Sequence, residues 1–201
     1  MNQAATAIPK PVYSKREASR LQIIEAARKL VMEIGYPLVT MTTIAERAKV
    51  SRATLYRYYS TKEQLYSDVS VKWAIDFIDT IRRNPPQGDT VGARVSSVIR
   101  QTINAAAENP RLMAAHIATM ISDDMSLKAD QRRLKSVMPD MIKTAMGSAS
   151  SDNLDLTSST LQHVLISNLI LLNAGKTHGD KVIAEMERIA SRLLADVWDK
   201  P

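Results

Sequence analysis

Apolar side chains return every third or fourth position along most of the 201-residue chain, which is the repeat of an amphipathic helix. No stretch shows the two-residue alternation of a half-buried strand, and there is no internal repeat or low-complexity tract. Leu21, Ile24, Ala27, Val31 and Ile34 predict a first helix from about Ser19, stopped by Gly35. After the short connection "YPLV", the positions Met41, Ile44, Ala45 and Ala48 predict a short second helix with Thr40 as its N-cap. A tight "KV" turn leads to Ser51, which caps a third helix, "RATLYRYY". Ser60 or Thr61 opens a fourth, with Glu63 in its first turn, and Leu65, Val69, Trp73, Phe77 and Ile81 carry it to "RRNPPQGD". Further helices are expected at about 90–108, 110–124, 128–146, 154–175 and 180–198. Asn109-Pro110, "SDD" at 122–124, "GSASSDN" at 147–153 and Gly175/Gly179 punctuate them. The expected fold is all-α, with nine helices.

Composition narrows the class without changing that picture. With 45% hydrophobic and 24% charged residues, the chain has globular composition. It has no cysteine, which excludes disulfides, Cys-zinc sites and thiol nucleophiles and suits a reducing cytosol. The first twenty residues lack the apolar stretch of a signal peptide. No apolar run approaches the roughly 18–20 residues that span a bilayer. A cytoplasmic location is expected.

Charge changes the picture more. Residues 1–66 hold eleven Lys/Arg against five Asp/Glu, a net +6, whereas residues 67–201 hold sixteen of each. All six tyrosines also fall in that first third. A basic, Tyr-rich third beside a neutral remainder implies two jobs, one of them on a polyanion. Three units are expected: a flexible basic arm at 1–16, with Pro9, Pro11, Lys10, Lys15 and Arg16; a helix-turn-helix unit at 17–66; and a ligand-binding and dimerisation unit at 67–201.

The second and third helices, joined by a tight turn, form a helix-turn-helix candidate. On 51–59, Leu55 and Tyr59 share an inward face with Ile44, Ala45 and Ala48. Arg52 and Tyr56 face outward, flanked by Thr54 and Tyr58, and Ala53 permits close approach. This surface suits a DNA major groove: Arg pairs with guanine, Ala or Thr meets a thymine methyl, and Tyr hydroxyls reach phosphates. Lys62, at the start of the next helix, is placed for a phosphate. Of the three clustered tyrosines, only Tyr59 is expected to pack.

"TMTTIAERAKVSRATLYRYYSTKEQLYSDV" at 40–69 closely resembles the DNA-binding segment of the tetracycline-repressor (TetR) family of bacterial transcriptional regulators. The matching positions are Thr40, Ile44, Ala45, Ala48, Val50, Ser51, Thr54, Leu55, Tyr56, Tyr58, Lys62 and Leu65. The preceding "IIEAARKLVMEIGYPLVTM" resembles the family's first helix, so the likeness covers about 17–70. Carried over by position, it implies base contacts from Arg52, Ala53, Thr54 and Tyr56. It implies phosphate contacts from Thr42, Ser51, Arg57, Tyr58 and Lys62. Three departures stand out. Lys49 replaces the turn glycine, Ala53 replaces a glycine, and Tyr59 replaces a phenylalanine, so its hydroxyl needs a partner or a route to solvent.

One short helix reads one half-site, so a DNA reader of this size needs a second copy, with recognition helices about 34–36 Å apart or a multiple of it. The two last helices, about 154–175 and 180–198, are the expected homodimer face. "LQHVLISNLILLNAG" is apolar nearly all round, and Val182, Met186, Ile189, Leu193 and Val197 form a stripe. The resemblance likewise implies a four-helix dimer interface. The middle helices are expected to enclose an effector pocket lined by Trp73, Phe77, Asn104, Met113, His116, Met120, Met138, Met141, His163 and Asn168. Core packing explains methionines at helical spacing equally well.

The three histidines are scattered and no P-loop, dinucleotide fingerprint or nucleophile–base motif occurs, so no metal, no cofactor and no enzymatic activity are expected. The expected function is a ligand-responsive, dimeric DNA-binding regulator, a repressor of a palindromic operator released by a small apolar or amphipathic effector. Lipid-like, sterol-derived and acyl-CoA molecules all fit the Met-rich interior. The alternatives are an effector-independent architectural, nucleoid-associated DNA-binding protein, and a helical module whose basic face meets an acidic partner.

Overall fold

A computed structural model describes residues 14–147, 149–150, 154–195 and 197–199. These residues form α1 (Lys15–Ile34), α2 (Met41–Arg47), α3 (Arg52–Tyr58), α4 (Lys62–Arg83), α5 (Val91–Glu108), α6 (Pro110–Met120), α7 (Lys128–Met146), α8 (Leu154–Asn173) and α9 (Gly179–Leu193). The fold is all-α, as the periodicity predicts. To the helices the described residues add a two-residue antiparallel pairing of Ala149–Ser150 with Trp198–Asp199. Most of the expected basic arm, residues 1–13, lies outside the described residues.

Caps set the helix ends where apolar spacing alone misplaces them. α1 starts at Lys15, before the apolar run, because Ser14 and Glu17 close a capping box on its first turn. Thr40, Ser51, Thr61 and Thr90 each accept the N–H three residues on, opening α2, α3, α4 and α5. α6 ends at Met120 rather than 124, since Asp124 accepts the Ser126 N–H and starts a 3-10 turn at Met125–Leu127. Within α7, Pro139 cannot donate to the carbonyl of Lys135. Gln162 Nε2 of α8 donates to that carbonyl instead, at 2.8 Å.

The buried side chains form two clusters. The first joins Ile23, Ala27 and Val31 of α1, Ile44 and Ala45 of α2, Leu55 of α3 and Leu65, Tyr66 and Val69 of α4 with Leu112 and Ala115 of α6. The second joins α5, α7, α8 and α9 with Ile81 from the far end of α4. α4 therefore belongs to both cores, and α6 plugs the base of the helix-turn-helix unit.

Candidate functional site

The turn between α2 and α3 shows how this unit is held. Val50 N–H donates to Ala45 O at 3.0 Å and Lys49 N–H to Glu46 O at 3.1 Å, which closes α2 through a left-handed residue. That residue is Lys49, with φ 52°, the one non-glycine at positive φ among the described residues. The turn keeps the glycine geometry although the side chain is lysine. Gln22 Nε2 braces it by donating to Ala48 O at 2.8 Å.

α3 presents two faces, as the sequence predicts. Leu55 and Tyr59 point inward and are buried. Arg52, Ala53, Tyr56 and Arg57 are exposed, and Arg52 and Tyr56 have no side-chain partner among the described residues. Thr54 is half-buried, its hydroxyl 2.9 Å from the Ser51 Oγ that caps the helix. Thr42 on α2 is half-buried.

Tyr59 finds a partner for its hydroxyl: it donates to Asp68 Oδ2 of α4 at 2.6 Å. Arg20 Nη2 of α1 meets the same oxygen at 2.6 Å, so one carboxylate ties three helices. Burial first, and this carboxylate second, hold the Tyr59 pKa well above the usual phenol range.

Two residues are placed differently from the expectation. Tyr58 is partly buried against the first core, and its hydroxyl donates to Arg16 O at 3.3 Å, so Tyr59 is not the only packing tyrosine of the three. Lys62 turns its ammonium inward. It donates to Tyr36 O at 3.2 Å and Val39 O at 3.3 Å and lies 4.3 Å from the Tyr36 ring centroid. Carbonyls left open in the α1–α2 connection capture it there. Beside α3, Lys15, Arg16, Ser19, Arg57 and Tyr58 line an open basic hollow that continues the exposed face.

A second feature lies between α4, α5, α6, α7 and α8: an apolar cavity of about 170 Å³. Of the predicted lining, Trp73, Phe77, Met113, His116, Met120 and Met138 surround it. Asn104 and His163 do not, because both point outward and are exposed. Met141 is buried in the second core instead. Asn168 is buried beside α9, its amide donating to Val164 O at 3.1 Å. His116 packs edge-on to Trp73, with ring centroids 5.9 Å apart. Burial pushes the His116 pKa down to about 4.

The distribution of apolar surface decides which face is open. Val182, Met186 and Ala190 of α9 are buried within this subunit's second core, so the stripe expected to meet a partner is largely used internally. On α8, by contrast, Ile166, Ile170 and Leu171 are 39–45% exposed.

Comparison with known proteins bears on both features. Residues 23–69 match the family of bacterial regulatory proteins of the tetR type. The chain belongs to the TetR family of transcriptional regulators. Among curated TetR-family relatives, the transcriptional repressor KstR of Rhodococcus jostii (strain RHA1) is 27% identical over 183 residues, covering 90% of this chain and 85% of that protein. The fold is shared with a TetR regulator from Rhodococcus sp. RHA1, at TM-score 0.74 and 20% identity over 91% of this chain and 99% of that one. It is also shared with Thermus thermophilus FadR, a TetR-family repressor solved with lauroyl-CoA, at TM-score 0.67 and 23% identity, covering 88% of this chain and 93% of that one. This likeness is to regulators, not enzymes. No helix among the described residues is long and apolar enough to cross a membrane, and no group of three or more His, Cys, Asp or Glu there could hold a metal ion.

For a TetR-family chain the sequence reveals the reading face better than the cavity. It misses Thr102, Ala105, Leu134 and Gln162, among others, in the wall from α5, α7 and α8. Pro139 is a signal that could have pointed to Gln162, since a proline inside a helix leaves a carbonyl to be satisfied from elsewhere. Arg111 is also missed. Its guanidinium bonds the carbonyls of Met32, at 3.0 Å, and of Glu33, the last turn of α1.

Proposed function

We propose that this TetR-family chain is a ligand-responsive repressor. It acts as a dimer that grips a two-fold operator through α3 and releases it when an apolar or amphipathic molecule enters the cavity. The observation that carries the reading is the double duty of α6. Met113 and His116 face the cavity, while Leu112 and Ala115 lie in the core of the DNA-reading unit and Arg111 holds the end of α1. α4 does the same from the other side, with Trp73 at the cavity and Leu65 and Tyr66 in that core.

Cavity size supports the switch. A dry, enclosed cavity of about 150 Å³ accommodates benzene; this one opens past Ile121, Ile166 and Ile170, so an occupant much larger than that extends through the mouth or pushes the walls apart. Moving α4 or α6 changes the separation of two recognition helices that have to sit on successive major grooves. Near-complete release needs about 5 kcal/mol of differential binding between the two states. Similarity to KstR, a named repressor, and to FadR, solved with an acyl-CoA, favours repression and an acyl-chain class of effector. Lys135 of α7, exposed and at the cavity wall, gives an anionic head group a place at the rim. Dimerisation falls to the exposed face of α8, with Leu193 of α9 at its edge. Base reading falls to Arg52, Ala53, Thr54 and Tyr56, and phosphate contact to Thr42, Ser51 and Arg57 with Lys15 and Arg16.

The test is selection from random DNA followed by fluorescence anisotropy on the recovered site. A palindromic motif is expected, with affinity falling at least tenfold on adding lauroyl-CoA. If no common motif emerges, the protein is an architectural binder instead. If DNA affinity ignores lauroyl-CoA and smaller apolar probes alike, the cavity is not a switch.

A further inference from the structure

We propose that the molecule filling this cavity carries an uncharged oxygen, a hydroxyl or a keto group, within its hydrocarbon body, and that His116 holds that oxygen by a hydrogen bond. The inference rests on the effector reading above and narrows the class of effector.

The imidazole of His116 lines a cavity walled otherwise almost wholly by apolar groups. Its Nδ1 is buried with no hydrogen-bond partner, and Nε2 makes no hydrogen bond among the described residues. Buried polar atoms are paired as a rule, and an unpaired one is unfavourable. The position is otherwise suited to Leu or Phe, which would carry no such cost. Of the other polar groups at the wall, Thr102 Oγ1 donates to Val98 O at 2.9 Å and Gln162 Nε2 to Lys135 O at 2.8 Å, while the exposed Lys135 sits at the rim and the Trp73 indole offers only an N–H.

Burial keeps the ring neutral, so it offers one N–H and one lone pair. A nitrogen that presents its N–H to the occupant suits a ketone or an alcohol, and one that presents its lone pair suits an alcohol. A carboxylate at that depth would be desolvated with no cation to meet it. The charged end of an amphipathic occupant therefore belongs at the rim, near Lys135. Because Leu112 and Ala115 on the same helix sit in the DNA-reading core, a bond to His116 also acts directly on the element that transmits release.

Calorimetric titration of lauroyl-CoA against analogues bearing a hydroxyl or a keto group at successive mid-chain carbons tests this. At least one oxygenated analogue should bind about tenfold more tightly than lauroyl-CoA. The preference should fall below twofold in His116→Phe and survive in part in His116→Gln, with His116→Leu as the second apolar variant should the first not fold. Equal affinity across the series, or a preference that persists in His116→Phe, overturns the proposal and leaves the effector reading standing. If lauroyl-CoA and every analogue neither bind nor alter DNA affinity, the effector reading fails, and this inference fails with it.

Discussion

Lys49 pays for its position: a lysine at φ 52° occupies a region that costs a residue with a Cβ about 1–2 kcal/mol. Lys49→Gly should therefore raise the thermal midpoint, by about 2–4 °C per kcal/mol gained in a chain of this size. Unchanged stability would mean that the lysine side chain makes compensating contacts. His116 gives a pH signature of its own. Its folded pKa is depressed to about 4 from an ordinary 6.5. The unfolded chain thus takes up a proton first as pH falls, and stability present above about 6.5 is lost progressively down to about 4. The loss is roughly 3 kcal/mol. Chemical denaturation across that window should show the slope in the native protein and a shallower one in His116→Phe. Lys62→Ala removes two carbonyl contacts and a cation–π contact, so it should lower the stability of the reading unit by about 1–2 kcal/mol. Arg52→Ala should leave stability alone and cost about 1–3 kcal/mol at one base pair of the operator.

At the scale of elements, the exposed face of α8 is the clearest expectation. Leu171 is 45% exposed and does not line the cavity, so Leu171→Arg should yield a monomer in sedimentation while leaving the cavity intact. A dimer unaffected by that change would move the interface elsewhere. The helices themselves were legible in the chain because three-to-four spacing and Ser/Thr caps are local signals. α3 in particular could be read down to which side chains face out. The cavity was legible only by halves. Met113, Met120 and Met138 line it and Met141 does not, although all four share the same chemistry. Their fate depends on how α6 and α7 rotate against neighbours distant in sequence, and no local pattern encodes that. The same holds for Lys62, whose partners lie 23 and 26 residues away.

Over the whole molecule, the net charge of +6 resides in residues 1–66 and the remainder is neutral. DNA affinity should accordingly fall steeply with salt, and the log–log slope should flatten by about one for each phosphate-contacting cation removed, Arg57 being the first to test. α4 links the two regions mechanically. Its 22 residues make a rod about 33 Å long, with Trp73 near the middle and Leu65 at the reading end. A few degrees of tilt at the cavity become an ångström or more at the DNA. Leu112 and Ala115 carry another consequence. Since the reading unit completes its core with two side chains from α6, it is not a portable module. A fragment ending at residue 69 would leave an apolar socket open under α1 and α4, and a chimaera that borrows this reading unit has to borrow α6 along with it.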